Sequence, residues 1–356
     1  MNNNPSSSSK TSPFVIFAAI IVILAGMMYA SSIIAPFLLA LFIAIILSQP
    51  VQWLVRKRVP LWIAIVIVLL GGIAIFIGMG EIIGTSLSSF RQDAPKYAAS
   101  LNAMAASFFQ FLQEQGFDLN QQQLGEMIDP GRVMNITAGI LGTLGSVMGN
   151  TFLVFFIILF ILLEDQSFAY KAKVLTRGPS ESLDFLNQIG KSIRHYLSIK
   201  TLISIITGAL IWLSLVIIGV EYAIVWALIA FLLNYIPTIG SILAGIPAVL
   251  FALVQVGFGG ALWTLVVYVT VNTVIGNLVE PKMMGKGLGL SSLVVFLALV
   301  FWGFLLGTVG MFLSVPLTMA LKITLEQSEK TRWIAILLGT QQEAKILMKE
   351  EEKTAP

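Results

Sequence analysis

The chain has 356 residues, 57% of them hydrophobic and 11% charged, with a net charge of +3 and a mean hydropathy of +0.91. Soluble domains carry about 25% charged residues, so this composition excludes an ordinary soluble globule and points to a chain solvated mostly by lipid. The absence of cysteine excludes disulfides and thiolate chemistry, a single histidine leaves little scope for a metal site, and basic residues scattered in short clusters leave no nucleic-acid footprint.

Met1 to Pro13 is rich in Asn and Ser and reads as a disordered tail. The apolar stretch behind Lys10 lacks an A-x-A cleavage pattern and a second apolar segment follows at once, so it reads as a retained first span. Charge-free runs then cover Phe14–Val55, Val59–Gly80, Val133–Leu163, Thr201–Val220, Tyr222–Val279 and Gly287–Leu321. A helical crossing needs about 20 apolar residues, so each run holds at least one. Phe14–Ala30 and Ile33–Leu54 form a hairpin stopped by Arg56, Lys57 and Arg58, a basic trio that marks a cytoplasmic loop. Leu61–Ile83 is the third span.

The following polar insertion, Thr85–Ser146, has more acids than bases and suits the periplasmic side. Within it Tyr97, Leu101, Met104, Phe108 and Phe111 recur at helical spacing and predict an amphipathic helix. Its stripe fits the membrane surface, another subunit or, most plainly, its own spans. Asp129-Pro130-Gly131 predicts a turn. Gly139, Gly142, Gly145 and Gly149 lead into a fourth span, about Val147–Leu163, and read as close helix packing. The loop Glu164–Lys200 is basic and cytoplasmic, broken at Gly178-Pro179. Gly190-Lys191-Ser192 lacks the upstream glycine of a phosphate-binding loop, whose position is Phe185, and His195 has no second histidine to share a metal.

After a fifth span, Leu202–Gly219, the run Tyr222–Val279 is 58 residues long, enough for three passes. It is interrupted at Asn234-Tyr235-Ile236-Pro237-Thr238-Ile239-Gly240. A broken helix is tolerated in lipid only where it is buried or lines a polar cavity, so the break is a candidate binding element. Gly307-Thr308-Val309-Gly310 lies 70 residues beyond Pro237-Thr238-Ile239-Gly240, and Ser314-Val315-Pro316 echoes Ala244-Gly245-Ile246-Pro247 with a one-residue slip. Paired broken segments point to the site of a transporter built from repeats. The side chains available to bind a polar solute there are Asn234, Tyr235, Thr238, Asn272, Asn277 and Thr308, framed by Pro237, Gly240, Gly307 and Gly310. Hydroxyls and amides replace water around a solute without burying a charge; the plainer reading is that they satisfy one another between helices. Glu280 is the best-placed titratable carboxylate, with a surface pair to Lys282 or Lys286 as the alternative. The fold expected is an all-α polytopic membrane protein of about six full spans plus two re-entrant hairpins, eight hydrophobic segments in all, with a helical periplasmic insertion and both termini cytoplasmic.

Asn234-Tyr235-Ile236-Pro237-x-x-Gly240, the stretch Glu280-Pro281-Lys282-Met283-Met284-Gly285-Lys286-Gly287-Leu288-Gly289-Leu290, and Trp302-Gly303 through Gly310-x-x-x-Ser314-Val315-Pro316-Leu317 resemble the autoinducer-2 exporter (AI-2E) family of bacterial inner-membrane transporters. Ser291-Ser292 stands where many relatives carry His-Pro, and the resemblance is closest to the quorum-signal exporter branch. It implies export of the quorum-sensing signal autoinducer-2 or of a related small polar solute, by a homo-oligomer in the lipid bilayer, without a cofactor. Some relatives are sodium/proton antiporters, which keeps ion exchange as an alternative. A non-transporting scaffold contacted through the insertion and through Trp333, Ile336 and Leu337 is a further reading. No paired buried carboxylates or nucleophile–base pair point to an enzyme. The chain thus divides into a tail (1–13), three spans (14–83), the insertion (84–146), the fourth span and basic loop (147–200), a transport core (201–323) and a cytoplasmic tail (324–356).

Overall fold

A computed structural model describes residues 13–115, 139, 153–164, 181–284, 289–341, 343–346 and 348, and every regular element among them is helical. Lipid offers the backbone no hydrogen bonds, so a spanning chain must pair its own amides, and a helix does so within one segment. The N-terminal tail, the turn at Asp129, Gly142 to Gly149, Gly178-Pro179 and Lys286 lie outside the described residues.

Helices α1 (Pro13–Tyr29) and α2 (Ser31–Arg56) meet at Ala30. α2 stops where expected: Lys57 N bonds back to Trp53 and Leu54, and Arg58 turns the chain with a φ of 68°. α3 (Leu61–Glu114) is one helix of 54 residues, about 81 Å long at 1.5 Å per residue. The span expected at Leu61–Ile83 and the amphipathic helix expected beyond it are therefore continuous. The polar residues Glu81, Thr85 and Arg91 interrupt the apolar run, but polarity alone does not end a helix. The stripe begins by packing on its own chain, with Tyr97 buried, and ends exposed at Phe111.

The described part of the fourth span is α4 (Leu153–Glu164). α5 (Glu181–Ile218) carries Gly190-Lys191-Ser192 mid-helix, where no phosphate loop can form. α6 (Ala223–Leu233) and α7 (Ile239–Val256) fold back on each other across Asn234–Thr238, which brings Trp226 and Phe251 to 5.5 Å between ring centroids. α8 (Phe258–Val274) continues through a π-helical turn (Ile275–Val279) into α9 (Glu280–Met284).

α10 (Ser292–Glu326) is hydrogen-bonded as a helix on both sides of Gly307, whose φ of 65° and ψ of −149° are not helical. Trp302 Nε1 donates to Thr318 Oγ1 at 3.0 Å; sixteen residues of straight helix would separate them by about 24 Å, so the chain turns back at Gly307. Ser292–Leu306 and Thr308–Glu326 are two legs of a second hairpin. α11 (Arg332–Leu338) closes over its base, with Ser291 N donating to Leu338 O at 3.1 Å and Lys322 Nζ to Glu343 Oε1 at 2.7 Å.

Among the described residues six helical segments have the length and composition to cross a membrane, Ser31–Arg56, Leu61–Met104, Gln188–Ile218, Ile239–Val256, Phe258–Met284 and, taken through its turn at Gly307, Ser292–Glu326. Their membership differs from the expected spans. The apolar helix Phe17–Tyr29 is shorter, the fourth span is described only from Leu153 onward, and a leg of the first hairpin and the whole second hairpin enter.

Two of the four packed interiors among the described residues position the site. At one end an aromatic core joins Phe90 and Tyr97 of α3 to Trp226, Phe251 and Tyr268. It is tied by Tyr97 OH to Glu221 at 2.5 Å and Tyr222 OH to Asp93 at 3.0 Å. Toward the other end, Tyr196, Leu197 and Ile203 of α5 pack with Ile275, Met284, Leu313 and Met319. α5 is the post against which the first hairpin, α8 and the second hairpin all rest.

A candidate solute site on the central helix

The first break forms because Pro237 has no amide hydrogen and Thr238 takes a φ of 57°, a backbone state hostile to a β-branched residue. Gly240 then comes so close to the end of α6 that a Cβ there would lie 1.8 Å from Leu233 O. Gly310 repeats this after the second break, where a Cβ would lie 1.9 Å from Trp302 O. Both turns are thus closed by a glycine packed on a carbonyl of the incoming leg.

The first turn lands on α5. Asn234 Nδ2 donates to Ser204 Oγ at 2.9 Å, and Tyr235 OH donates to Thr201 Oγ1 at 2.8 Å, whose hydroxyl donates on to Leu197 O. Next to Thr201, Lys200 Nζ pairs with Glu280 Oε1 at 2.7 Å, with the lysine side chain 4% and the glutamate 20% exposed. Lys200, Thr201 and Ser204 lie within one turn of a helix, so these contacts form one polar layer. Two elements that are broken or distorted supply its partners: the tip of the first hairpin, and the π-helical turn that ends at Glu280. Such π turns recur at functional positions.

The remaining residues singled out from sequence divide. Tyr235 also reaches the second hairpin, its ring 6.4 Å from that of Phe312. Phe312 lies five residues past Gly307, so the tip of the first hairpin rests on the flank of the second. Thr238 and Thr308 are exposed at their respective turns, and no hydrogen bond joins them. Asn272 donates to the carbonyl of Tyr268 in its own helix at 2.7 Å and borders a groove of about 470 Å³ between α7 and α8. Asn277 is exposed in the π-helical turn.

Glu280 pairs with Lys200 and not with the exposed Lys282, while Lys286 lies outside the described residues. Sequence held a signal for it: Lys200 immediately precedes one charge-free run and Glu280 immediately follows another. Opposite charges at the margins of two apolar runs are candidates for one pair. Among the described residues no cluster of metal-ligating side chains occurs.

Long apolar helices, two helical hairpins with proline or glycine at their turns and a polar layer among apolar helices define a multi-pass helical membrane protein of transporter type. The chain belongs to the AI-2E family transporters, whose family model matches residues 17–330. It is 42% identical over 325 residues to the AI-2 transport protein TqsA of Escherichia coli strain K12, covering 91% of this chain and 94% of that protein. A putative transport protein of Haemophilus influenzae is 41% identical over 90% of this chain and 94% of its own length. The putative transport protein YhhT of Escherichia coli strain K12 is 35% identical, over 90% and 92% respectively.

Proposed function

We propose that this chain is a secondary transporter that exports autoinducer-2, or a related small polar metabolite, across the bacterial inner membrane. The observation that carries this reading is its 42% identity, over 91% of the chain, to a protein named for AI-2 transport. The solute path runs beside α5, past the polar layer of Asn234, Tyr235, Thr201, Ser204, Lys200 and Glu280, with the exposed Thr238 and Thr308 as further contacts at the two turns. Neutral amides and hydroxyls suit a polyhydroxylated solute, since they exchange hydrogen bonds with it one for one. Pro237, Gly240, Gly307 and Gly310 shape the turns, and Asn272 and Asn277 line the approach along α8. The two hairpins are re-entrant, entering from opposite sides between six full spans, with both termini in the cytoplasm. The sharp turns at Asn234–Thr238 and Gly307 and the basic residues at Arg56–Arg58 support this topology. The working form is a homo-oligomer in lipid, for which the exposed apolar face of α1, including Phe14, Phe17 and Val22, is a ready contact.

Purified protein in proteoliposomes tests the reading. Labelled autoinducer-2 should equilibrate faster than in empty vesicles, and Asn234→Ala should slow it while the folded protein recovered stays near wild type. Flux equal to that of empty vesicles, with folded protein present, refutes it.

Sodium/proton exchange is the second reading, favoured by one observation: a largely buried carboxylate, Glu280, held by a more deeply buried lysine. Sodium-driven proton movement in the same vesicles without added solute, abolished by Glu280→Gln, would establish it over solute export.

A further inference from the structure

A second polar feature lies where α2 ends, one to two helical turns along α5 from the polar layer. A cavity of about 320 Å³ opens between the two helices and is lined by Arg56, Lys191, Arg194 and His195, with Trp53 at its rim. Among the described residues no carboxylate lines it, and none of these four basic side chains has an ion-pair partner there. The Nε of Arg194 is buried and likewise lacks an acceptor. Burying a guanidinium donor without an acceptor costs free energy, as does gathering basic side chains around one cavity. Both costs are met when an anion occupies the space. The wall is rigid enough to recognise one: Gln49 Nε2 donates to Ser198 Oγ, which itself donates to Arg194 O and so ties α2 to α5 beside the cavity.

We propose that this cavity binds a phosphoryl group. The planar fork of arginine matches phosphate oxygens, and lysine adds a mobile point charge. Trp53 is 60% exposed at the end of an apolar helix, the position at which tryptophan meets the headgroup layer, and Lys57 lies over its ring at 5.9 Å. A volume of about 320 Å³ is that of a small ligand pocket and leaves room for a phosphodiester. Basic pockets between spans are a known way to hold anionic headgroups, and a soluble phosphate ester presents the same chemistry. The site is separate from the polar layer and stands whether or not autoinducer-2 is the solute.

The test uses the full chain in a neutral detergent. Thermal unfolding and native mass spectrometry are followed while dioleoylphosphatidylglycerol, dioleoylphosphatidylcholine or sodium phosphate is added, with sodium chloride matching the ionic strength. Two double variants are compared, Arg56→Gln with Arg194→Gln, and Lys191→Gln with His195→Asn. Lys191 and His195 are exposed, so the second pair keeps the test alive if the first does not fold. Saturable stabilisation by phosphatidylglycerol beyond phosphatidylcholine, with half-saturation shifted about tenfold or more in the variants, supports the site and assigns it to a headgroup. The same variant-sensitive response to phosphate alone supports it and assigns a soluble ester. If neither probe produces a response that the variants weaken, the proposal is overturned.

Discussion

Removing one member of the Lys200–Glu280 pair should cost far more than removing both. At 2.7 Å the gross attraction is about 6 kcal/mol with an effective dielectric near 20, and desolvation offsets much of it. Breaking a buried pair from one side costs about 3–5 kcal/mol, because the survivor is left charged and unpartnered, whereas replacing both by neutral groups is often close to neutral. Burial orders the two single variants. Glu280→Gln strands an ammonium that is only 4% exposed, while Lys200→Met strands a carboxylate with 20% exposure, which water can partly solvate. Glu280→Gln is therefore expected near the top of that range and Lys200→Met at about 1–3 kcal/mol. The double variant should fall below the sum by at least about 1 kcal/mol. Chemical unfolding of the four proteins in one detergent, with flux measured in parallel, gives the cycle. Additive single effects, or a Lys200→Met variant costlier than Glu280→Gln, would refute the picture of a desolvated pair.

Thr238→Gly should stabilise the protein by about 1–3 kcal/mol, since the left-handed backbone at 57° strains threonine and not glycine; a lower unfolding midpoint would contradict this. Gly240→Ala must push Leu233 O from 1.8 Å to beyond about 3 Å, at a cost of about 1–3 kcal/mol and with loss of flux. Gly72→Ala, with nothing within 4 Å, should gain a few tenths to 1 kcal/mol, so equal behaviour of the two alanines would exclude the close contact. Ser292→Pro should leave folding and flux intact, because Ser292 opens α10 and Ser291 is already extended at φ −72° and ψ 152°; loss of folded protein would show that the start of this leg is misassigned. A single cysteine at the exposed Lys282, in a chain with no other cysteine, should resist an impermeant maleimide added outside cells and react after permeabilisation. Ready labelling from outside would sink the re-entrant topology.

Much of the fold was legible because lipid writes plainly into sequence. Charge-free runs locate the helices, and proline and glycine locate the turns at Asn234–Gly240 and Gly307. What sequence hid were relations between distant residues. Lys200 and Glu280 are 80 positions apart, and although each borders a charge-free run, nothing in the sequence says that those two margins meet. Asn234 and Tyr235 were legible as polar groups at a break, but not as donors to Ser204 and Thr201, because those acceptors are ordinary helix residues. The continuity of α3 was hidden for a different reason: polarity reports the surroundings of a helix and not its end, and the local breakers it holds, Gly71-Gly72 and Pro95, lie inside the helix without ending it.

The internal repeat shows how backbone geometry sharpens a weak sequence match. Aligning Gly240 with Gly310 requires an offset of 70 and leaves the prolines one residue out of step. The left-handed residues at the two turns are Thr238 and Gly307, an offset of 69. At that offset Pro247 falls on Pro316 with no slip, and Leu233 falls on Trp302, the two residues whose carbonyls receive the glycines. The contacting glycine alone is displaced, at 240 in one hairpin and 310 in the other. The ψ angles explain that freedom: −54° at Thr238 and −149° at Gly307 send the chain out of the turn in different directions, so the first residue to meet the incoming carbonyl differs by one. A repeat that shares its turn, its carbonyl and its proline but not its exit angle is what two hairpins would keep if they share a packing device and hold unlike neighbours, α3, α5 and α8 for the first and α1, α2 and α5 for the second.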